Sequence, residues 1–114
     1  MALVLTVNSD AWNQQVESLT STVSGLIPVV KGNGYGFGRD WLAERAAQIA
    51  STLAVGTVFE VGSVPTAATP MVLTPTLEVP HDLRADAILT VGSLAHITAA
   101  SGKSRNVEIG RAHV

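Results

Sequence analysis

The apolar residues of this chain fall in short unbroken runs rather than in strict alternation with polar ones, and nothing else in it constrains the fold as much. Residues 27–31, 53–58, 71–74 and 87–91 are β-rich runs of this kind. A strand reads so when both of its faces are covered, which is the situation in a parallel sheet flanked by helices. Helical patterns lie between the runs. Ser9 and Asp10 can cap a helix whose Trp12, Val16 and Leu19 recur at helical spacing. Asp40 opens a second, with Leu42, Ala46, Ile49 and Ala50 on its inner stripe, and Ser93 caps a third through Leu94 and Ile97 that stops at Gly102. Residues 3–7 add an N-terminal strand. Strand and helix in turn predict an α/β fold with a parallel sheet and helices outside. Pro65, Pro70, Pro75 and Pro80 make the connections of the middle stretch loops.

Composition narrows the partners. A net charge of -2 leaves no electrostatic footprint for nucleic acid or an anionic membrane surface. No apolar stretch reaches the length of a membrane span, and residues 1–7 lack the basic start of a signal peptide. The absence of cysteine excludes a disulfide framework, a thiolate metal site and a cysteine nucleophile, and leaves the cytoplasm as the expected location.

One residue stands out chemically. Lys31 ends the apolar run Leu26-Ile27-Pro28-Val29-Val30 and opens a loop in which Gly32, Gly34, Gly36 and Gly38 alternate. Each glycine gives up backbone entropy that an ordinary turn would keep, and close approach of a ligand is one reason to do so. The loop is not a dinucleotide fingerprint, because Phe37 stands where that pattern needs glycine, and no Gly-Lys-Ser/Thr ending of a phosphate loop is present. What remains is an amine that can act on a carbonyl. A lysine ending a buried strand ordinarily runs its stem along the core and its ammonium into water. Burial of the ammonium can instead lower its pKa by several units and free the amine for a Schiff base, for which pyridoxal phosphate is the usual aldehyde.

The run Val29-Val30-Lys31-Gly32-Asn33-Gly34-Tyr35-Gly36-Phe37-Gly38 resembles the pyridoxal-phosphate attachment motif of the alanine racemase family, whose common form reads Val-Val-Lys-Ala-Asn-Ala-Tyr-Gly-His-Gly. Lysine, asparagine, tyrosine and the last two glycines fall in register. Gly32 and Gly34 stand for alanines, and Phe37 for a histidine whose polar group is lost. The later runs follow in the family's order. The resemblance implies the N-terminal part of a (β/α)8 TIM barrel, with pyridoxal 5'-phosphate as cofactor and a small amino acid, alanine first, as substrate. It implies racemisation of L- and D-alanine, a homodimeric parent and a place in D-alanine biosynthesis. Lys31 would then hold the cofactor and move a proton on or off the substrate α-carbon. Tyr35 would lie against the cofactor and orient it, or else pack as a loop aromatic on the barrel rim. The family's opposite-face tyrosine base, its phosphate-binding loops and an arginine facing the pyridine nitrogen come from parts of its fold outside this stretch. A barrel enzyme of the D-amino-acid aldolase or dehydratase type, or a non-enzymatic pyridoxal-phosphate-binding protein, stays open beside the racemase.

Such a barrel takes about 250 residues, whereas this chain has 114. Residues 1–108 are therefore expected to form a partial, incomplete barrel domain, inactive alone and exposing an unpaired strand edge. Residues 109–114 match what ATC GGA AGA GCA CAC GTC, a common short-read sequencing adapter, would encode, and are expected to be a read-through tail. The remaining candidates are bland. His81 beside Asp82, and His96, have no spacing that suggests a metal pair or a triad, and His113 falls in the tail. Glu60 is expected to cap or pair near the barrel rim, and Lys103-Ser104-Arg105 to form a solvated turn.

Overall fold

The structure is a computed structural model, and it describes residues 2–101 and 106–110. Helix α1 spans Ser9–Thr22, α2 Arg39–Ala46 and α3 Leu94–Ala100. The strands are β1 Thr52–Val55, β2 Thr69–Val72, β3 Ile88–Val91 and β4 Asn106–Ile109, with a 3₁₀ helix, Val58–Ser63, between β1 and β2. The sheet order is β1-β2-β3-β4, and each neighbouring pair is parallel. A doubly wound sheet reverses its order at a switch point, whereas a barrel adds each new strand beside the last. This sheet does the latter.

Three consecutive residues are buried in β1 (Leu53, Ala54, Val55) and three in β3 (Leu89, Thr90, Val91). The unbroken apolar runs therefore mean what the sequence predicts, strands covered on both faces. Val30, Ala43, Ala46, Val58, Val61, Val72 and Ala100 close the core around them. β2 contains a fully buried proline. Pro70 pairs with Leu53 of β1, while the ladder to β3 begins one residue later at Met71. A missing N–H is tolerated at the start of a strand where only one ladder runs.

Other expectations are corrected. Residues 3–7 form no strand; they pair with no described strand, and Leu3, Val4 and Leu5 are exposed. Apolar character supplies a face to bury, but a strand persists only where a ladder receives it. The expected strand at residues 27–31 shrinks to one parallel bridge, Val29 with Ala54, where the Val30 N–H donates to Ala54 O (2.9 Å) and the Ala54 N–H to Pro28 O (2.8 Å). The run at 53–58 stops at Val55, because Thr57 and Glu60 form a capping box that winds the chain into the 3₁₀ helix. β2 begins two residues before the expected run. Helix α1 is capped by Asn8, whose Oδ1 accepts from the Ala11 N–H (3.1 Å), and it buries no residue completely. Ser93 caps α3 as expected, with the His96 N–H donating to its Oγ (3.2 Å), although Leu94 and Ile97 are exposed.

β4, absent from the sequence reading, runs to Ile109, and the Gly110 N–H donates to Val91 O (2.7 Å). The boundary expected after residue 108 falls within this strand. Residues 111–114, His113 among them, and the stretch Lys103-Ser104-Arg105, expected to form a solvated turn, lie outside the described residues.

Candidate active site at the lysine loop

Lys31 follows the Val29 bridge and so leaves the sheet at the end where β1 also finishes. Its backbone alternates with the core. Val30 is fully buried, while Lys31 itself is exposed. The desolvated strand-end lysine of the sequence reading is therefore not what folds; burial falls on the neighbouring valine, and the amine reaches solvent.

The loop that follows is wound tightly. The Gly34 N–H donates to Lys31 O (3.1 Å), the Phe37 N–H to Gly34 O (3.0 Å) and the Gly38 N–H to Asn33 O (2.8 Å). Asn33 Oδ1 accepts from the Gly36 N–H (3.1 Å), which gives the motif's asparagine a structural task. All four glycines have positive φ, between 64° and 94°, and Tyr35 joins them at 57°. Left-handed backbone explains the glycines without a ligand. Gly34 is the tightest, since a Cβ there would sit 2.6 Å from Gly38 O; around Gly32, Gly36 and Gly38 the same position is open.

Residues distant in sequence hold this loop. Glu60 Oε1 accepts from the Gly32 N–H (2.7 Å), and its Oε2 accepts from the Thr57 N–H and Oγ1 (3.0 Å each). Burial alone would push the Glu60 carboxyl up, but the bonds from Gly32, Thr57 and Gly56 outweigh it and hold the group below the ordinary glutamate value. Arg39 grips the other side, Nη1 donating to Gly32 O (2.7 Å) and Nε to Ser63 Oγ (2.8 Å). The sequence reading places Glu60 at the rim as a cap, and the structure adds its bond to the lysine loop. Arg39 gave no signal at all. A bond from a side chain to a backbone group many residues away leaves no periodicity to find.

Tyr35 is exposed on this loop rather than packed against the rim. Phe37 stacks on Trp41 at 5.7 Å, Trp41 meets Trp12 edge to face at 5.5 Å, and the Arg45 guanidinium lies 5.1 Å from the Trp41 ring. The residue that removes a histidine from the motif thus ties the loop to α1 and α2. His96 closes a separate turn, its Nδ1 accepting from the Gly92 N–H (3.0 Å). Among the described residues, no three His, Asp or Glu side chains gather to hold a metal ion. No helix among them is long and apolar enough to cross a membrane.

A family model described as the alanine racemase N-terminal domain matches residues 7–113. The chain belongs to that family. No curated protein and no solved structure gave a match. For the alanine racemase N-terminal domain, the parallel order of β1 to β4 is the N-terminal part of its TIM barrel. The family binds pyridoxal phosphate. The lysine loop fits that group in two respects: Lys31 offers an exposed primary amine beside backbone with open space at Gly32 and Gly36, and Tyr35 presents an exposed ring four residues on.

Proposed function

We propose that the chain is the lysine-bearing portion of a pyridoxal-phosphate-dependent racemase that interconverts L- and D-alanine. The observation that carries the reading is the juxtaposition of an exposed Lys31 and a braced left-handed loop at the strand-end rim of the alanine racemase N-terminal domain. Active groups of such barrels gather at this end of the strands. Lys31 is the attachment amine, and the same Nζ, once free, takes or returns the proton at the substrate α-carbon. When bound, the cofactor supplies an electron sink that lowers the cost of leaving negative charge on that carbon. Tyr35, exposed on the same loop, would help to hold the cofactor. Glu60 and Arg39 keep the loop still, so that the amine is presented in one place. The parent is a cytoplasmic homodimer whose remaining parts supply the opposite-face base and hold the phosphate.

The test is exchange at the α-carbon. In D₂O with pyridoxal 5'-phosphate, the parent enzyme carrying this segment should incorporate deuterium into alanine and yield both enantiomers, and Lys31→Ala should lose both. Retention of the cofactor's visible absorption in a Lys31-dependent manner without α-exchange would instead favour a non-enzymatic carrier.

A further inference from the structure

Glu60 does more than cap its own 3₁₀ helix. Its carboxylate collects N–H bonds from two elements: Gly32 in the lysine loop at 2.7 Å, and Gly56 (3.4 Å) and Thr57 (3.0 Å) at the end of β1. The 3₁₀ helix reaches the same spot a second time, because Ser63 Oγ accepts from Arg39, which in turn donates to Gly32 O. The peptide units on both sides of Gly32 are therefore fixed, one by Glu60 and one by Arg39. Gly32 is where this bracing matters most, since at φ 64° with nothing near its missing side chain it would otherwise be the freest hinge next to Lys31.

The bare side-chain position of Gly56 faces both the Glu60 carboxylate and the Cβ of Lys31. A Cβ on Gly56 would lie 2.9 Å from Glu60 Oε2 and 3.4 Å from Lys31 Cβ. The space that a side chain at 56 would fill is shared between the carboxylate and the base of the lysine. Any larger residue there would displace the flexible end of Glu60 and, with it, the bond to Gly32.

We propose that Glu60, seated in the slot left by Gly56, is the positioning residue that presents the Lys31 amine to a pyridoxal-type aldehyde. It acts through the Lys31-Gly32 peptide and does not itself touch the reacting atoms. The inference rests on the reading of Lys31 given above. Small displacements of a reacting group cost rate steeply, so loss of the bracing is felt at the amine.

The chain carries a built-in reference, because its two lysines are Lys31 and Lys103. The full chain is incubated with pyridoxal 5'-phosphate and reduced with borohydride, which fixes a pyridoxyl group on whichever amine has condensed with the aldehyde. Peptide mass mapping then gives the ratio of pyridoxylation at Lys31 to that at Lys103. Glu60→Ala should lower this ratio about tenfold, the effect of losing a hydrogen bond to a charged group. Glu60→Gln, which keeps an oxygen able to accept from Gly32 but turns an N–H₂ donor toward the Thr57 N–H, should recover part of it. Gly56→Ala should lower the ratio with Glu60 still in place, which separates position from charge. Melting curves and unchanged Lys103 labelling guard against mere unfolding, and Glu60→Gln with Gly56→Ala decides the matter if Glu60→Ala does not fold. Folded Glu60→Ala and Gly56→Ala variants with the unaltered ratio would overturn the proposal. An unsubstituted chain with no preference for Lys31 would instead overturn the reading on which it rests.

Discussion

Gly34 is the residue at which the lysine loop has least freedom. Its φ of 68° disfavours any L side chain, and a Cβ would fall 2.6 Å from Gly38 O and 2.9 Å from Arg39 N, which are backbone atoms that cannot swing aside. Gly36 has a φ of 90° but open space around it. Alanine is therefore expected to cost about 1–2 kcal/mol at Gly36, from the left-handed backbone alone, and distinctly more at Gly34, where a clash is added. Thermal melts of Gly34→Ala and Gly36→Ala give the comparison; equal losses would show that the packing at Gly38 is not as described. At this scale the sequence was readable for Lys31 and its loop and unreadable for what braces them. Alternating glycines announce unusual backbone, whereas nothing near Gly32 announces that Glu60, 28 positions later, will receive its N–H. Phe37 was legible only as a missing histidine, because a stack on Trp41 depends on how loop and helix meet.

Among the elements, the connection from the 3₁₀ helix to β3 is organised by one arginine. Arg84 donates from Nη1 to Val64 O (2.8 Å) and Pro65 O (3.3 Å) and from Nη2 to Ala68 O (2.7 Å), while Nε and Nη2 also reach the Asp86 carboxylate (3.0 and 2.8 Å). The ion pair is open to solvent and adds little by itself. The carbonyl bonds matter more, since they staple the proline-punctuated loops to one another. Arg84→Ala should destabilise the chain by about 2–3 kcal/mol, with Arg84→Lys restoring little because an ammonium cannot reproduce the planar fork. Asp86→Ala should cost much less. Denaturant midpoints of the three variants test the order, and an Asp86→Ala loss as large as that of Arg84→Ala would contradict it. Strands β1 and β3 were legible because their burial on both faces writes itself as an unbroken apolar run. β4 was not, since Asn106, Val107 and Ile109 are exposed and only the ladder to β3 makes them a strand. The run at residues 3–7 misled for the complementary reason, being apolar without a ladder.

The molecule as a whole is looser than its length suggests. Its radius of gyration is 15.7 Å, against about 13 Å for a compact domain of this size. On the N-terminal side, residues 3–5 are exposed and α1 buries nothing completely. Between α1, the segment around Val29 and α2 runs an apolar cavity of about 200 Å³ lined by Trp12, Val16, Leu26, Val30 and Leu42. Local stability follows burial, so α1 amides should exchange with D₂O well before those of β1 and β3. Exchange of α1 as slow as that of the central strands would contradict this picture. The α/β class and the parallel sheet were legible from the alternation of runs and helical spacing, and the barrel came from the family motif rather than from periodicity. The central proposal is chemical: in this alanine racemase N-terminal domain, Lys31 is proposed as the amine that takes the cofactor. Reducing the full chain with borohydride after incubation with pyridoxal 5'-phosphate, followed by peptide mapping, tests it directly. A pyridoxyl mass on the peptide containing Lys31 in clear excess over that containing Lys103 is the expected result, and equal labelling of the two, or none at Lys31, would overturn the assignment.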